Sequence, residues 1–387
     1  MSALVMKNRA PTAVHVLGTG KMAKDIGLFL WTKGFAVTWV SREQRYLDDL
    51  RRLVTKQRHK WRAITDPQTL QEEVAFARIG DEAMSRPEII LETTVETPAI
   101  KRAVIDAAAQ DCHPEPLLLS NSSSILPNEI HPDAMGMHFF FPVAFTGLAE
   151  LIVPASATPE RVSRAARFAD SLGVTLIRQN AETAFALNRL LLVPMAEGFR
   201  ALAIGVPPAS VDAWSRSPLF PIGIVQLMDS IGYDVLLSAT RRFRLQMAPN
   251  VAVSFRHLEA CLTELVSRDI LGKKNRRDLR RSLPCALPES PAAGLRFDEK
   301  LLNDVFINTC FVFAETGHIR IQDLETALRA LFGTEVSPEE ALTLAGVDTV
   351  HTRLLTLYRE SGISYFRPSR RVSDRYRRES WRDREPS

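Results

Sequence analysis

Along the first half of the chain, short apolar runs rich in β-branched residues alternate with stretches whose apolar positions recur every three or four residues. Runs of the first kind suit strands buried on both faces, and amphipathic stretches between them suit the crossover helices that parallel pairing needs. "AVHVLG" (13–18) is expected to be the first strand, "KMAKDIGLFLWTKG" a helix ending at Gly34, and "FAVTWVS" (35–41) the second strand. "EIILETT" (88–94), "PLLLSNS" (116–122), "GMHFFFPV" (136–143) and "LAELIV" (148–153) read as further strands, with a helix in "TPAIKRAVIDAAAQ". Near residue 183 the pattern changes: one long apolar helical stretch runs from about Thr183 to Ile204, and strands become scarce. The expected architecture is α/β, a doubly wound sheet over 1–182 followed by an all-α part over 183–281. "SLPCALPESPAAG" (282–294) reads as a linker. A second helical segment follows over 295–366.

The two helical segments share more than their period. Gly232 and Gly346, and likewise Asp234 and Asp348, are 114 residues apart, each pair closing a similar apolar pattern. Duplication of the all-α part is therefore expected. A length of 387 residues, 45% hydrophobic and 24% charged, fits a globular protein of two or three domains. The formal charge of +4 is concentrated in 367–387, where eight arginines face four acids. Mixed signs there suggest a solvated, disordered tail, and nucleic acid is not an expected partner. Four scattered cysteines without a CxxC pair argue against a metal or disulfide framework and for a reducing compartment. "MSALVMKNRAPT" is too polar for a signal peptide, and Arg189, Glu197 and Arg200 interrupt the longest apolar stretch. A cytoplasmic protein without a membrane segment is the expectation.

Chemistry first enters at "VHVLGTGKMA". Gly18-x-Gly20-x-x-Ala23 follows a strand and opens a helix, the context of a dinucleotide-binding turn. Gly18 permits the tight turn, Gly20 lets a diphosphate approach, and Ala23 lets the helix pack on the sheet, so Gly18, Gly20, Lys21 and Met22 are candidate cofactor contacts. After the second strand, where NAD-binding proteins carry an acid, this chain has Ser41 and Arg42. A hydroxyl and a guanidinium accept a 2′-phosphate that a carboxylate would repel, which favours NADP(H) over NAD(H). An ordinary surface arginine with the acid simply lost is the other reading. "ETTVETPAIK" and "SNSSSILP" are loops or helix caps, or else cofactor ligands at strand ends. His138 stands before three phenylalanines, and Glu150 is an acid in an apolar run twelve residues on. Adjacent strands could pair them, either as a salt bridge that only stabilises the sheet or as the base and its partner in alcohol oxidation.

"VLGTGKMAKDI", "VETPAIK", "SNSSS", "GMHFFFPV…LAELI" and "ALNRLLLVPMAE", in this order, resemble the L-3-hydroxyacyl-CoA dehydrogenases over residues 13 to about 245. The repeat up to about 366 is similar to the doubled C-terminal domain of the multifunctional fatty-acid oxidation α-subunits. The resemblance implies a Rossmann-like domain followed by helical domains, His138 as catalytic base with Glu150 as partner, and Ser123 and Asn188 on the substrate oxygens. It also implies that Glu96 and Lys101 lie along the nicotinamide half of the cofactor. The substrate would be an acyl-CoA or acyl-carrier-protein thioester, and the assembly a homodimer or a monomer with an internal pseudo-dimer. Phe141 replaces the asparagine of the family's HFFNP, Thr183-Ala184-Phe185 stands for Pro-Gly-Phe, and "GKKNRRDLRRSLP" replaces a glycine-rich stretch. With Ser41-Arg42, these departures suggest reduction in a biosynthetic pathway. The alternative is a catalytically altered dinucleotide-binding relative with a regulatory or scaffold role.

Overall fold

The strands are β1 (Ala13–Leu17), β2 (Ala36–Ser41), β3 (Ala75–Arg78), β4 (Ile89–Glu92), β5 (Leu117–Ser120), β6 (Met135–Phe139), β7 (Leu148–Val153) and β8 (Thr175–Asn180). They form one sheet in the order β3-β2-β1-β4-β5-β6-β7-β8. Neighbours are parallel except β6 and β7, which run antiparallel. The computed structural model describes residues 12–62, 74–81, 86–110, 112, 114–280, 286–290, 292–295 and 297–382. The amino-terminal stretch apart from Thr12, Cys285 with part of the 282–294 linker, and 383–387 lie outside them. The chain divides into two compact units, Met1–Phe185 and Ala186–Ser387.

Side chains alternate across the sheet, and each face has its own core. Val14, Val16, Trp39, Leu91, Leu119, Met137 and Leu151 pack with Ile26 and Leu30 of the helix Lys21–Thr32. Leu17, Val40, Ile90 and Leu118 pack with Val104 and Ile105 of the helix Pro98–Ala109. Burying each such aliphatic side chain contributes about 1.5–3 kcal/mol, which is why these strands are apolar on both faces. Strand order reverses between β1 and β4, so a crevice opens beyond their carboxyl ends. Two strands were not anticipated. In β3 the four-residue run AFAR is too short to show a period, and in β8 the buried positions are Ile177 and the polar Gln179.

In the second unit, the expected helix from Thr183 to Ile204 is broken into Ala186–Leu190 and Leu192–Ala203. Pro194 has no N–H to donate to the Leu190 carbonyl and its ring crowds that oxygen, which interrupts the ladder. The helices then run in two matching series. Leu192–Ala203, Pro208–Ser215, Ile224–Ile231, Tyr233–Gln246 and Arg256–Ser267 make the first; Leu301–Glu315, Ile321–Phe332, Pro338–Ala345, Val347–Ser361 and Arg370–Arg382 make the second. Gly232 (φ 102°) and Gly346 (φ 83°) join the third and fourth helices of each series. Only glycine adopts that conformation without strain, so the shared glycine fixes the same bend twice. The leading helices of the two series pack on each other. Beside them the fully buried Glu197 binds Arg200 at 2.8 Å and accepts the Tyr365 hydroxyl at 2.7 Å.

The tail is not disordered as far as Arg382: Arg370–Arg382 is the last helix of the second series. Val372 is fully buried, Tyr376 stacks on His351 with ring centroids 4.1 Å apart, and Arg375 Nη2 donates to Thr343 Oγ1 at 2.8 Å. Positions 372 and 376 lie one turn apart, so one narrow apolar stripe docks the helix, with Arg371 and Arg375 pairing with Glu339 beside it. Composition hid that stripe. Val372→Asp should therefore lower the stability of the helical unit by about 3 kcal/mol, by placing an unpaired charge in its core. A thermal midpoint equal to that of the parent chain would mean that the helix does not dock.

Candidate active site

β1 ends at Leu17 and the chain turns through Gly18 (φ 124°), whose N–H donates to the Val40 carbonyl at 2.9 Å. A Cβ on Gly18 would lie 2.8 Å from Thr93 Oγ1, so both the torsion and the space demand glycine. Gly20 caps the helix Lys21–Thr32 without a side-chain hydrogen bond, and a Cβ there would meet nothing within 4 Å. The space beside Gly20 is thus open at the amino end of the helix, at the point where strand order reverses. Those features fit the diphosphate of a dinucleotide. Met22 is half-buried against the sheet core, whereas Lys21 is exposed and holds its Nζ 3.4 Å from the Phe141 ring centroid.

At the end of β2, Ser41 is half-buried and Arg42 exposed. Ser41 Oγ accepts the Glu43 N–H at 3.3 Å, and the Glu43 carboxylate pairs with Arg45 at 2.8 Å. The carboxylate nearest to Arg42 in sequence is thus engaged by another arginine.

The ends of β4 and β5 carry a buried ionic network. Lys101 Nζ lies 3.0 Å from both oxygens of the fully buried Glu92, 3.1 Å from the Thr94 carbonyl and 3.2 Å from Glu96 Oε2. Glu92 also accepts the hydroxyls of Ser120 and Thr94, each at 2.6 Å. Glu96 Oε1 then gathers the turn after β5, with the Ser122 hydroxyl at 2.6 Å and the N–H groups of Ser123 and Ser124 at 3.0 and 3.1 Å. The Ser123 hydroxyl lies 3.4 Å from the same oxygen. Burial alone would raise the Glu96 pKa; Lys101 and the Ser122, Ser123 and Ser124 donors outweigh it and hold the carboxyl below its ordinary value. A depressed native value means that this contribution to stability is complete above the unfolded carboxylate range. It is lost as pH falls through the native value.

His138 and Glu150 stand directly opposite each other in the antiparallel pairing of β6 with β7. Nδ1 of His138 lies 2.8 Å from Glu150 Oε2, and Oε1 of the same carboxylate accepts Gln179 Nε2 at 2.8 Å. Glu150 has no solvent exposure, and His138 is buried with Phe140 and Phe185 edge-on at 4.6 and 5.9 Å. A carboxylate in its ionised form only accepts, and against such a partner the imidazole donates through Nδ1 and keeps Nε2 for other partners. Such a pair can take a proton from a hydroxyl, or return one, without a charge moving into bulk water.

Of the residues singled out in the sequence, the structure brings together His138 with Glu150, and Glu96 with Lys101 and Ser123. Asn188 sits on Ala186–Leu190 in the other unit, beside Arg189, which bonds Gln246. Three residues were missed. Glu92 anchors Lys101, Gln179 holds Glu150, and Asn121 Oδ1 accepts the Phe139 N–H at 2.8 Å, tying β5 to the strand that carries His138. Glu92 had a visible signal, an acid closing an apolar strand.

The chain matches the model of the 3-hydroxyacyl-CoA dehydrogenase NAD-binding domain over residues 13–182 and that of the C-terminal domain of the same enzymes over 185–281. The chain belongs to the 3-hydroxyacyl-CoA dehydrogenase family. It is thereby an oxidoreductase of the class acting on CH–OH groups with a nicotinamide dinucleotide. Its fold is similar to 3-hydroxybutyryl-CoA dehydrogenase from Escherichia coli, with 19% identity and a TM-score of 0.73 over 96% of this chain and 99% of that one. It is also similar to the dehydrogenase part of multifunctional enzyme 1 from C. elegans, with 16% identity and a TM-score of 0.59 over 95% and 90% of the two chains. (S)-3-Hydroxybutyryl-CoA dehydrogenase from Ralstonia eutropha, at 21% identity and a TM-score of 0.59, covers 70% of this chain and 98% of its own. The part of the family fold common to all three is thus smaller than this chain. Among the described residues no helix is long and apolar enough to cross a membrane.

For this dehydrogenase-family site, Lys101→Met should leave the Glu92 carboxylate buried without its cation. The expected cost is about 3–5 kcal/mol in denaturant unfolding, with much of it recovered when Glu92→Gln is added. A single variant as stable as the parent would mean that Glu92 is not held by Lys101.

Proposed function

We propose that the chain interconverts a 3-hydroxyacyl thioester and its 3-oxoacyl partner, carried on CoA or a carrier protein, and that it works chiefly in the reductive direction. The observation that carries this reading is the buried His138–Glu150 pair, with Nδ1 2.8 Å from Oε2. A bound nicotinamide would supply or accept the hydride at C3. His138 Nε2 gives its proton to the forming alkoxide in reduction and takes the hydroxyl proton in oxidation. Glu150, pinned by Gln179, stabilises the imidazolium and keeps the ring in the required tautomer. Ser123 and Asn188 are assigned to the oxygen on C3, and the Glu96 clamp on the serine turn supports that role for Ser123.

The helix Lys21–Thr32 receives the diphosphate through its first N–H groups, and Glu96 and Lys101 border the nicotinamide half. Ser41 and Arg42 take the 2′-phosphate, so NADP(H) is favoured over NAD(H). The engagement of Glu43 by Arg45 supports this, since the acid next to Arg42 in sequence already has its own cation. The second helical series packs its leading helix on that of the first and satisfies Glu197 through Tyr365, which supports an internal pseudo-dimer in a monomeric chain.

His138→Ala should cut turnover of acetoacetyl-CoA by roughly 100- to 10,000-fold while dinucleotide binding persists. Undiminished NADPH oxidation by that variant would remove the proposal. Arg42→Ala should weaken NADPH binding by about tenfold or more and leave NADH binding nearly unchanged, as read by fluorescence titration. Equal losses for both dinucleotides would mean that Arg42 does not read the 2′-phosphate.

A further inference from the structure

Phe141 is where this chain departs from its family's HFFNP pattern, and its ring is 46% exposed. It follows the strand that carries His138 and meets a residue of the glycine-rich turn, with Lys21 Nζ 3.4 Å from the ring centroid. That meeting is built in by the backbone. One helical turn below Lys21, the buried Asp25 accepts the Val143 N–H through Oδ2 at 2.8 Å, pinning the Phe141–Val143 segment to the helix Lys21–Thr32. The helix Val143–Thr146 packs on the same helix. Lys21 and Asp25 share one helix face, so the carboxylate fixes the segment and the ring then lies over the ammonium.

An aromatic face attracts a cation without neutralising it. A carboxylate in the same place would cancel the charge and would repel a phosphate. The ring therefore orders the Lys21 side chain, without supplying a counter-charge of its own, at the first position of the helix that follows the glycine-rich turn. We propose that Phe141 is a cofactor-positioning residue: it seats the Lys21 ammonium at the mouth of the crevice, where Lys21 binds a diphosphate oxygen of the dinucleotide. This rests on the reading that the Gly18–Met22 turn receives a dinucleotide. It further assigns affinity for the diphosphate, common to NADH and NADPH, to the Lys21–Phe141 pair.

The test is a fluorescence titration of the full chain with NADH and with NADPH at low and moderate salt, for the parent, Lys21→Met, Phe141→Leu, Phe141→Tyr and the Lys21→Met/Phe141→Leu double variant. Lys21→Met should weaken both dinucleotides by the same factor, about tenfold, and should lose much of the salt dependence. Phe141→Leu should weaken both by about threefold, whereas Phe141→Tyr, which keeps the π face, should bind as the parent does. The double variant should bind no worse than Lys21→Met alone, because the ring acts only through the ammonium. A merely structural role for Phe141 would instead lower the thermal midpoint and leave the salt dependence intact. If the parent binds dinucleotide and the Lys21→Met variant binds it equally well, or the two losses multiply, this inference is overturned while the proposed function stands. If the parent binds neither dinucleotide, both fall.

Discussion

A carboxylate without solvent must find its counter-charge and its hydrogen bonds inside the protein, and the sheet buries two of them at its carboxyl-end region. Glu92 closes β4 and Glu150 lies in β7, both without exposure. Each left unpaired would cost several kcal/mol, so each dictates what surrounds it. Glu92 recruits Lys101, Ser120 and Thr94; Lys101 recruits Glu96; and Glu96 gathers the backbone of the Ser122–Ser124 turn. Glu150 recruits His138 on one oxygen and Gln179 on the other. The polar face of the crevice is ordered by these demands.

The same physics decides which residues were legible in the sequence. Glu150 stood out because an acid inside an apolar run has to be paired, and the nearest chemically apt partner was a histidine twelve residues back. Glu92 satisfies the same criterion, but its place at the end of a strand made it look like the first residue of a loop. Gln179 gave no signal, since a neutral amide in an alternating polar stretch is ordinary until its partner is known. The parallel strands were visible because burial on both faces imposes continuous apolar runs. β3 and β8 were not, the first for its brevity and the second because a buried position is filled by a polar residue.

In the helical part, the spacing of Gly232 and Gly346 carried more information than composition did. A positive φ at the same point of two helix series fixes the same bend, so two matched glycines indicated a duplicated arrangement. The arginine-rich end misled because charge was counted without period. Six arginines on a helix need only one turn-spaced apolar stripe to dock it, and Val372 with Tyr376 supplies that stripe. The break before Leu192 is likewise a local backbone effect, a proline within a stretch whose side chains otherwise favour one long helix.

β7 is the strand whose direction matters most. Two residues twelve apart cannot face each other on neighbouring parallel strands, because the crossover between such strands is too long. An antiparallel return through the short helix Val143–Thr146 puts Glu150 opposite His138. The start of that return is bonded through the Val143 N–H to Asp25 on the helix that follows the glycine-rich turn. One connection therefore sets the register of the acid–base pair and also ties it to the element that opens on the dinucleotide crevice. A shift of one residue in β7 would turn Glu150 to the other face and break the first link, and loss of the Asp25 bond would loosen the second. The positions of the His138–Glu150 pair and the glycine-rich turn are thus coupled by a covalently short path, which explains how a pair of side chains on separate strands can be held to one geometry by so small a stretch of chain.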